Sequence, residues 1–279
     1  MRVEERGGER MILIVTAFDA EARPLIDHFR LRRQADHGFP VYAGGDVWLV
    51  VSGPGRINAA AATAHLHGRA GFPWDNTWIN TGIAGHPELP QGEARIAHKI
   101  TERMTGKSWY PALVTGSPWE SAPLLTVDRP DREYASGSLV DMEASGFMET
   151  ALRFSSGELV HVLKIVSDNR ESPAVIPKAS QLQDWIAPHM AALENFCGSL
   201  ERLAMPLETP AGITREYERL TAAMHFTVSQ QNRLQQLLQR WHALYPETQI
   251  PAPVSGQATA QALLDALQQR IDASPPVLS

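Results

Sequence analysis

Short runs of apolar, mostly β-branched residues alternate with segments of helical spacing up to about residue 204. The apolar runs, which we predict to be buried strands, are Met11–Ala17, Val47–Ser52, Thr77–Thr81 and Leu159–Ser167. The segments with helical spacing are Asp19–Phe29, Ile57–His67, Met142–Phe154 and Gln181–Leu203. Because parallel strands need a long crossover between them, this alternation predicts an α/β fold in which helices cover both faces of a largely parallel sheet.

The composition changes late in the chain and indicates three segments. We expect residues 1–10, which mix both charge signs around two glycines, to form a disordered leader. Residues 11–205 are predicted to form the α/β domain, and residues 206–279 a helical extension with a disordered tail. In the extension, Thr214 is predicted to cap one helix, and a second helix is expected from Gln257 to Ile271.

Charge and cysteine content argue against several classes of protein. The 25 Lys and Arg residues against 31 Asp and Glu give a net charge of −6, which disfavours binding to nucleic acid because that affinity depends on clustered cations. The single cysteine, Cys197, excludes an intrachain disulfide and a multi-cysteine zinc site. No apolar run approaches the roughly 20 residues of a membrane helix. We therefore expect a cytoplasmic protein without a metal site and without a membrane partner.

Three acidic residues stand where a predicted strand passes into a helix or loop. Glu21 lies at the start of the first helix, Glu143 lies where the run Val140–Asp141 turns into a helix, and Asp168 directly follows a strand. Each acid taken alone is explained by the positive end of a helix dipole. Since the carboxyl ends of strands in one open α/β sheet share one crevice, all three are also predicted to meet at a ligand site.

Four sequence blocks, of which the first and the last contain these acids, occur in an order typical of a known family. The blocks are AFDAEA, VVSGPGRINAAAAT, INTGIAGH and VDMEASG followed by KIVSDN. On these motifs, residues 11–203 resemble the nucleoside phosphorylase superfamily, and within it the methylthioadenosine/S-adenosylhomocysteine nucleosidases. The resemblance implies a three-layer α/β/α sandwich with a mixed, mainly parallel central sheet. It also implies a homodimer or higher homo-oligomer, with no metal and no organic cofactor.

The resemblance assigns roles to five residues of this chain. It implies that Glu21 activates the attacking water, that Glu143 holds the ribose hydroxyls, and that Met142 lies under the sugar. Asp168 would protonate the leaving purine, oriented by Ser167. Physical chemistry agrees with these roles, because a leaving base needs a proton donor and a carboxylate stabilises the positive charge that develops on the sugar.

Four further residues are implied to bind the substrate. They are Ile83, Ala84 and Gly85, from the glycine-containing block, and Lys164, which stands where the family usually has a ribose-contacting arginine. A lysine supplies the charge of an arginine but lacks its planar fork of donors.

The choice between water and phosphate as the acceptor depends on cations. Phosphorylases of this superfamily carry an arginine and a serine where this chain has Asn80 and Ile83, and the loss of the guanidinium favours water. Arg56 or Lys164 could replace part of that charge, and the Ser52–Arg56 loop could offer backbone N–H groups to an anion. A phosphate-dependent purine nucleoside phosphorylase therefore stays as the alternative.

The stretch between Ala122 and Asp141 is shorter than in the family and leaves Thr126–Asp128 and Tyr134 to line a base pocket. Together with the helical extension, this shortening supports an alternative of another class, a nucleoside-binding or partner-docking protein with a degenerate catalytic site. The leading prediction is hydrolysis of the N-ribosidic bond of an adenosine-type nucleoside, such as methylthioadenosine or S-adenosylhomocysteine.

Overall fold

A computed structural model describes residues 11–35, 37–71, 76–130, 137–173, 177–204, 211–245 and 250–273. Its strands are β1 Ile12–Thr16, β2 Arg32–Arg33, β3 Val41–Gly44, β4 Val47–Val51, β5 Thr77–Gly85, β6 Ala94–Glu102, β7 Ser108–Trp109, β8 Ser121–Thr126, β9 Leu139–Asp141 and β10 Val160–Asp168. Its α-helices are α1 Asp19–His28, α2 Arg56–Arg69, α3 Ala144–Ala151, α4 Ala179–Ile186, α5 Met190–Ala204, α6 Ala211–Ala223, α7 Val228–Leu244, α8 Ala252–Ser255 and α9 Ala260–Asp272. Among these residues no helix is long and apolar enough to cross a membrane.

The chain divides into two compact units, Met1–Met205 and Pro206–Ser279. In the first unit, the strands form one mixed sheet whose centre, in the order β4, β1, β5 and β10, is parallel. Beyond the centre the sheet closes on itself, because β10 pairs with β6, β6 with β8, β8 with β9, and β9 returns to β5. This closure brings the ends of β5, β8, β9 and β10 together.

Helices cover both faces of this sheet and confirm the predicted three-layer α/β/α architecture. Successive residues of β1 point to opposite faces, so that Ile14 packs into one core and Val15 into the other. The first core includes Leu25 of α1, Ile186 of α4 and Phe196 of α5. The second is closed by α2 and α3, whose buried side chains include Leu66 and Phe147.

The second unit, taken by itself, is a helical array with its own apolar core. Its buried residues are Ile213, Leu220, Phe226, Leu234, Leu237, Leu238, Trp241, Ile250, Val254, Ala260, Leu263, Leu264, Leu267 and Ile271. Two ion pairs join α7 to α9, Arg233 with Asp265 and Arg240 with Asp272. Both pairs link residues 32 apart, which means that α7 and α9 run in the same direction.

Some local predictions were wrong. Thr214 does not cap a helix, because α6 already begins at Ala211, and the helix expected from Gln257 begins at Ala260, where the Thr259 hydroxyl accepts a hydrogen bond from the Ala262 amide. The strand predicted over Thr77–Thr81 is too short, because β5 continues through the following glycine-containing residues to Gly85. The leader 1–10, the tail 274–279 and Tyr134 lie outside the described residues.

Candidate active site

A cavity of about 410 Å³ opens at the carboxyl ends of β5, β9 and β10 in the first unit. Its described lining is mostly apolar and consists of Phe18, Ala20, Pro54, Ile83, Ala84, Gly85, Val127, Pro130, Val140, Asp141, Met142, Glu143, Ser167, Asp168, Pro177, Ala179 and Leu182. An apolar pocket with a few converging polar groups is the usual form of a small-molecule site. The charged side chains within this lining are all carboxylates.

A β-bulge places Ser167 and Asp168 at the cavity. Val166 pairs with Ala84 and Asp168 pairs with Gly85, so Ser167 is an extra residue in β10. Such an insertion changes the direction in which neighbouring side chains point. The Ser167 hydroxyl donates to Asp168 Oδ1 at 2.5 Å, and this hydrogen bond fixes the orientation of the Asp168 carboxyl.

Glu143 lies in the short turn between β9 and α3, and its carboxyl is buried on the cavity wall. Its Oε1 accepts a hydrogen bond from the Gly55 amide at 2.7 Å. Gly55 has a φ of 97°, a conformation that favours glycine, and it directly precedes α2. Burial, followed by the charge of Asp141, raises the pKa of Glu143 to about 7, although Lys164 and the Gly55 amide act in the opposite direction.

Glu21 is held by the backbone at the start of α1. Its Oε2 accepts from the Ala17 and Phe18 amides at 2.9 Å each, and its Oε1 accepts from the Ile83 amide at 2.9 Å. Gly82 makes this approach possible, because a Cβ there would lie 2.7 Å from Glu21 Oε1. Burial raises the pKa of Glu21 despite these hydrogen bonds. Because a carboxylate has about four acceptor positions, one position remains for a further donor.

Lys164 and Asp141 form a buried ion pair beside these glutamates. The Lys164 Nζ lies 3.0 Å from Asp141 Oδ2, and the two side chains are 2% and 0% exposed. Among the described residues, Lys164 is the only buried lysine or arginine. Burial disfavours its ammonium form, but the charges of Asp141, Glu143 and Glu21 outweigh that cost and raise the pKa of Lys164.

Most of the residues predicted for the site come together at the cavity. Ile83, Ala84, Gly85, Met142, Glu143, Ser167 and Asp168 line it, whereas Glu21 and Lys164 are not part of the lining. Sequence reasoning missed Asp141, which borders the cavity and whose Oδ2 accepts from the Ala144 amide at 2.8 Å. The available signal was an aspartate directly before the predicted helix Met142–Phe154, where a side-chain oxygen can accept from the first amides of the helix.

The second cation considered for an anion site, Arg56, is also engaged in ion pairs. Its guanidinium binds Glu102 Oε1 at 2.8 Å and Asp128 Oδ1 at 3.0 Å, and its side chain is 37% exposed. The loop amide of Gly55 donates to Glu143, as described above. Arg56, Lys164 and the Gly55 amide, which the sequence offered as anion-binding groups, thus bind carboxylates of the protein itself.

Comparison with family models and with curated protein sequences finds no match to this chain. Comparison with solved structures finds many, and they define the fold of the first unit. A methylthioadenosine/S-adenosylhomocysteine nucleosidase from Colwellia psychrerythraea, in complex with adenine, superposes with a TM-score of 0.55 at 19% identity and covers 69% of this chain and 96% of its own. The first unit thus has the nucleoside phosphorylase/nucleosidase fold, as the sequence motifs predicted.

Two further structures show how widely this fold is shared. A methylthioadenosine nucleosidase from Arabidopsis thaliana has a TM-score of 0.51 at 20% identity over 70% of this chain and 95% of its own. A futalosine hydrolase mutant from Helicobacter pylori has a TM-score of 0.53 at 12% identity over 68% of this chain and all of its own. At these identities the likeness establishes the fold, and the activity must be argued from the site.

Proposed function

We propose that this protein is a nucleosidase that hydrolyses the N-ribosidic bond of an adenosine-type purine nucleoside, with methylthioadenosine as the first substrate to test. The observation that carries the proposal is the joint presence of Glu143 and Asp168 on one apolar cavity, at the strand ends where this fold binds ligands. The solved structures add support, because the nucleosidase from Colwellia psychrerythraea holds adenine.

Each acid has an environment suited to one step of this reaction. Asp168 acts as the general acid that donates a proton to the leaving purine, with Ser167 fixing its orientation. Glu143 stabilises the positive charge that develops on the ribose, while Met142 packs against the sugar from the adjacent wall. Glu21, which lies behind the cavity lining and is held by the Ile83 amide, accepts a hydrogen bond from the attacking water through its remaining acceptor position.

Water is the proposed acceptor because the described cavity lining contains no lysine or arginine, and the two cations that the sequence offered to phosphate are paired with carboxylates. Lys164 is paired with Asp141, and Arg56 is paired with Glu102 and Asp128. A phosphate dianion would also bind in a cavity whose described charged lining residues are acids. Repulsion between these like charges opposes binding. The same repulsion favours a neutral nucleoside over a nucleotide.

We further propose that the protein is cytoplasmic and forms a homodimer or higher homo-oligomer. Light scattering of the purified protein measures the oligomeric state.

The test is release of adenine from methylthioadenosine in phosphate-free buffer, compared with the same reaction in added phosphate. Asp168→Asn should reduce the rate by about 10²–10⁴-fold, the usual contribution of a general acid. Asp184→Asn is the matched control, because Asp184 is an exposed aspartate on α4. S-adenosylhomocysteine and other purine nucleosides are then assayed in the same way.

Two results would replace the proposal. Release of adenine from methylthioadenosine that requires phosphate, with 5-methylthioribose 1-phosphate as the second product, would make the protein a phosphorylase. Nucleoside binding without release of base in either buffer would make it a binding protein with a degenerate site.

A further inference from the structure

The buried pair of Lys164 and Asp141 is connected to the turn that carries Glu143. Asp141 Oδ1 accepts from the Thr126 hydroxyl at 2.8 Å, and Asp141 Oδ2 accepts from both the Ala144 amide and the Lys164 ammonium. The Thr126 hydroxyl oxygen in turn accepts from the Ser145 amide at 3.1 Å. Asp141 therefore satisfies the first amide of α3 directly and the second through Thr126.

These contacts fix the turn from both of its ends. Before the turn, the Val127 amide donates to the Asp141 carbonyl at 2.8 Å, and after it α3 begins at Ala144. Only Met142 and Glu143 lie between these anchored positions, and both border the cavity. Any shift of the Asp141 carboxyl must therefore move the residues that face the substrate.

Lys164 reaches this turn from another strand and is not part of the cavity lining. Its ammonium points to Asp141 and not into the cavity, so its position differs from that of a residue that touches the ribose. An isolated buried carboxylate is costly, and removal of one partner of a buried ion pair leaves the other uncompensated. Lys164 thus compensates the buried Asp141 carboxyl and holds it in place at the start of α3.

We propose that Lys164 and Asp141 form a positioning pair that acts through the β9–α3 turn to place the Glu143 carboxyl against the substrate. The proposal assigns Lys164 an indirect role in place of the substrate contact that the sequence motif implied. It rests on the proposed nucleosidase function only where turnover is used as the readout.

The first test is a double-mutant cycle on adenine release with Lys164→Met, Asp141→Asn and the combined variant. Lys164→Met should lower kcat about tenfold or more, the size expected for residues of one network, while KM changes little. The combined variant should recover most of that loss, because it leaves no buried unpaired charge. Lys99→Met, on β6, is the control for loss of a lysine. A raised KM in Lys164→Met, with no recovery in the combined variant, would show that Lys164 binds substrate directly and would overturn the proposal.

Thr126→Val provides a second variant that keeps every charge and removes the hydroxyl between Asp141 and the Ser145 amide. It should lower kcat in the same direction as Lys164→Met and leave KM nearly unchanged. Full activity in a folded Thr126→Val protein would contradict a role for the turn.

The second test needs no turnover and follows Glu143 by carbon-13 NMR of glutamate-labelled protein, with the resonance assigned by its loss in Glu143→Gln. The groups that act on Glu143 are Asp141, Lys164, Glu21 and the Gly55 amide. Its titration midpoint should rise in Lys164→Met, fall in Asp141→Asn and return towards the wild-type value in the combined variant. Unchanged midpoints would overturn the proposal even in an active enzyme. Shifted midpoints in a protein that releases no base would leave the pair intact and reject the nucleosidase function alone.

Discussion

The two units of this protein treat buried charge in opposite ways. In the described part of the α/β unit, the buried residues include Glu21, Asp141, Glu143 and Lys164. In the helical unit, the buried residues that the structure describes are apolar. Burial of charge costs free energy unless it is compensated, so a chain retains it where chemistry needs it. Under the proposed function, this contrast means that the α/β unit gives up stability for a reactive site, whereas the core of the helical unit serves packing.

The strongest way to challenge this contrast is Glu143→Gln. Glutamine keeps the size of the side chain but removes its charge, so base release should fall by about 10²–10³-fold, the loss typical for a preorganised electrostatic group. The free energy of unfolding should not fall at neutral pH, because the neutral side chain avoids the desolvation of a carboxylate. Turnover and urea unfolding are measured on the same preparation. A destabilised variant with normal turnover would show that Glu143 serves stability and not catalysis.

Leu264→Ala tests the second half of the comparison, that the core of the helical unit serves packing. Leu264 is fully buried in the helical unit, and truncation of such a leucine costs about 2–5 kcal/mol. Hydrogen-exchange mass spectrometry should show lost protection in α7 and α9, while turnover per molecule stays unchanged. Gln269→Ala, at an exposed position of the same helix, is the control. A loss of turnover as large as that of Glu143→Gln would show that the helical unit takes part in the site.

The stability of the α/β unit should also depend on pH through Glu143. Its pKa is about 7 in the folded protein against an ordinary value of 4.5, so the folded state binds the proton more tightly than the unfolded state. This contribution is complete below pH 4.5 and is lost as the pH rises through about 7. Over that window the wild type should lose on the order of 3 kcal/mol relative to Glu143→Gln. Urea unfolding at several pH values measures the difference, and parallel curves would mean that burial does not perturb Glu143.

The sequence was sufficient to predict those strands and site residues that depend on local pattern. The apolar runs located β1, β4 and β10, and the rule that ligands bind at strand ends brought Glu143 and Asp168 to one cavity. β6 was missed because its sequence, ARIAHKITE, interrupts the apolar residues with charges. The pairing of Lys164 with Asp141 was missed for a different reason. It joins β10, a central neighbour of β5, to β9, which reaches β5 only where the sheet closes through β6 and β8, and no local signal encodes that closure.

The smallest expected effect concerns two ion pairs of similar length, one in each unit. Arg233 and Asp265 lie 3.3 Å apart in the helical unit, with side chains 42% and 57% exposed, whereas Lys164 and Asp141 lie 3.0 Å apart and are fully buried. Water screens the exposed pair, so a double-mutant cycle with Arg233→Ala and Asp265→Ala should give a coupling of about 0.2–1 kcal/mol.

Removal of one partner from the buried pair should cost about 3–5 kcal/mol, because it leaves a desolvated charge. Denaturant unfolding of the single and double variants measures both couplings. If the exposed pair proved as strong as the buried one, burial would not be the variable that separates the two units. Each pair joins a cationic side chain to an aspartate at nearly the same distance, so a difference of several kcal/mol between them is expected to come mainly from burial.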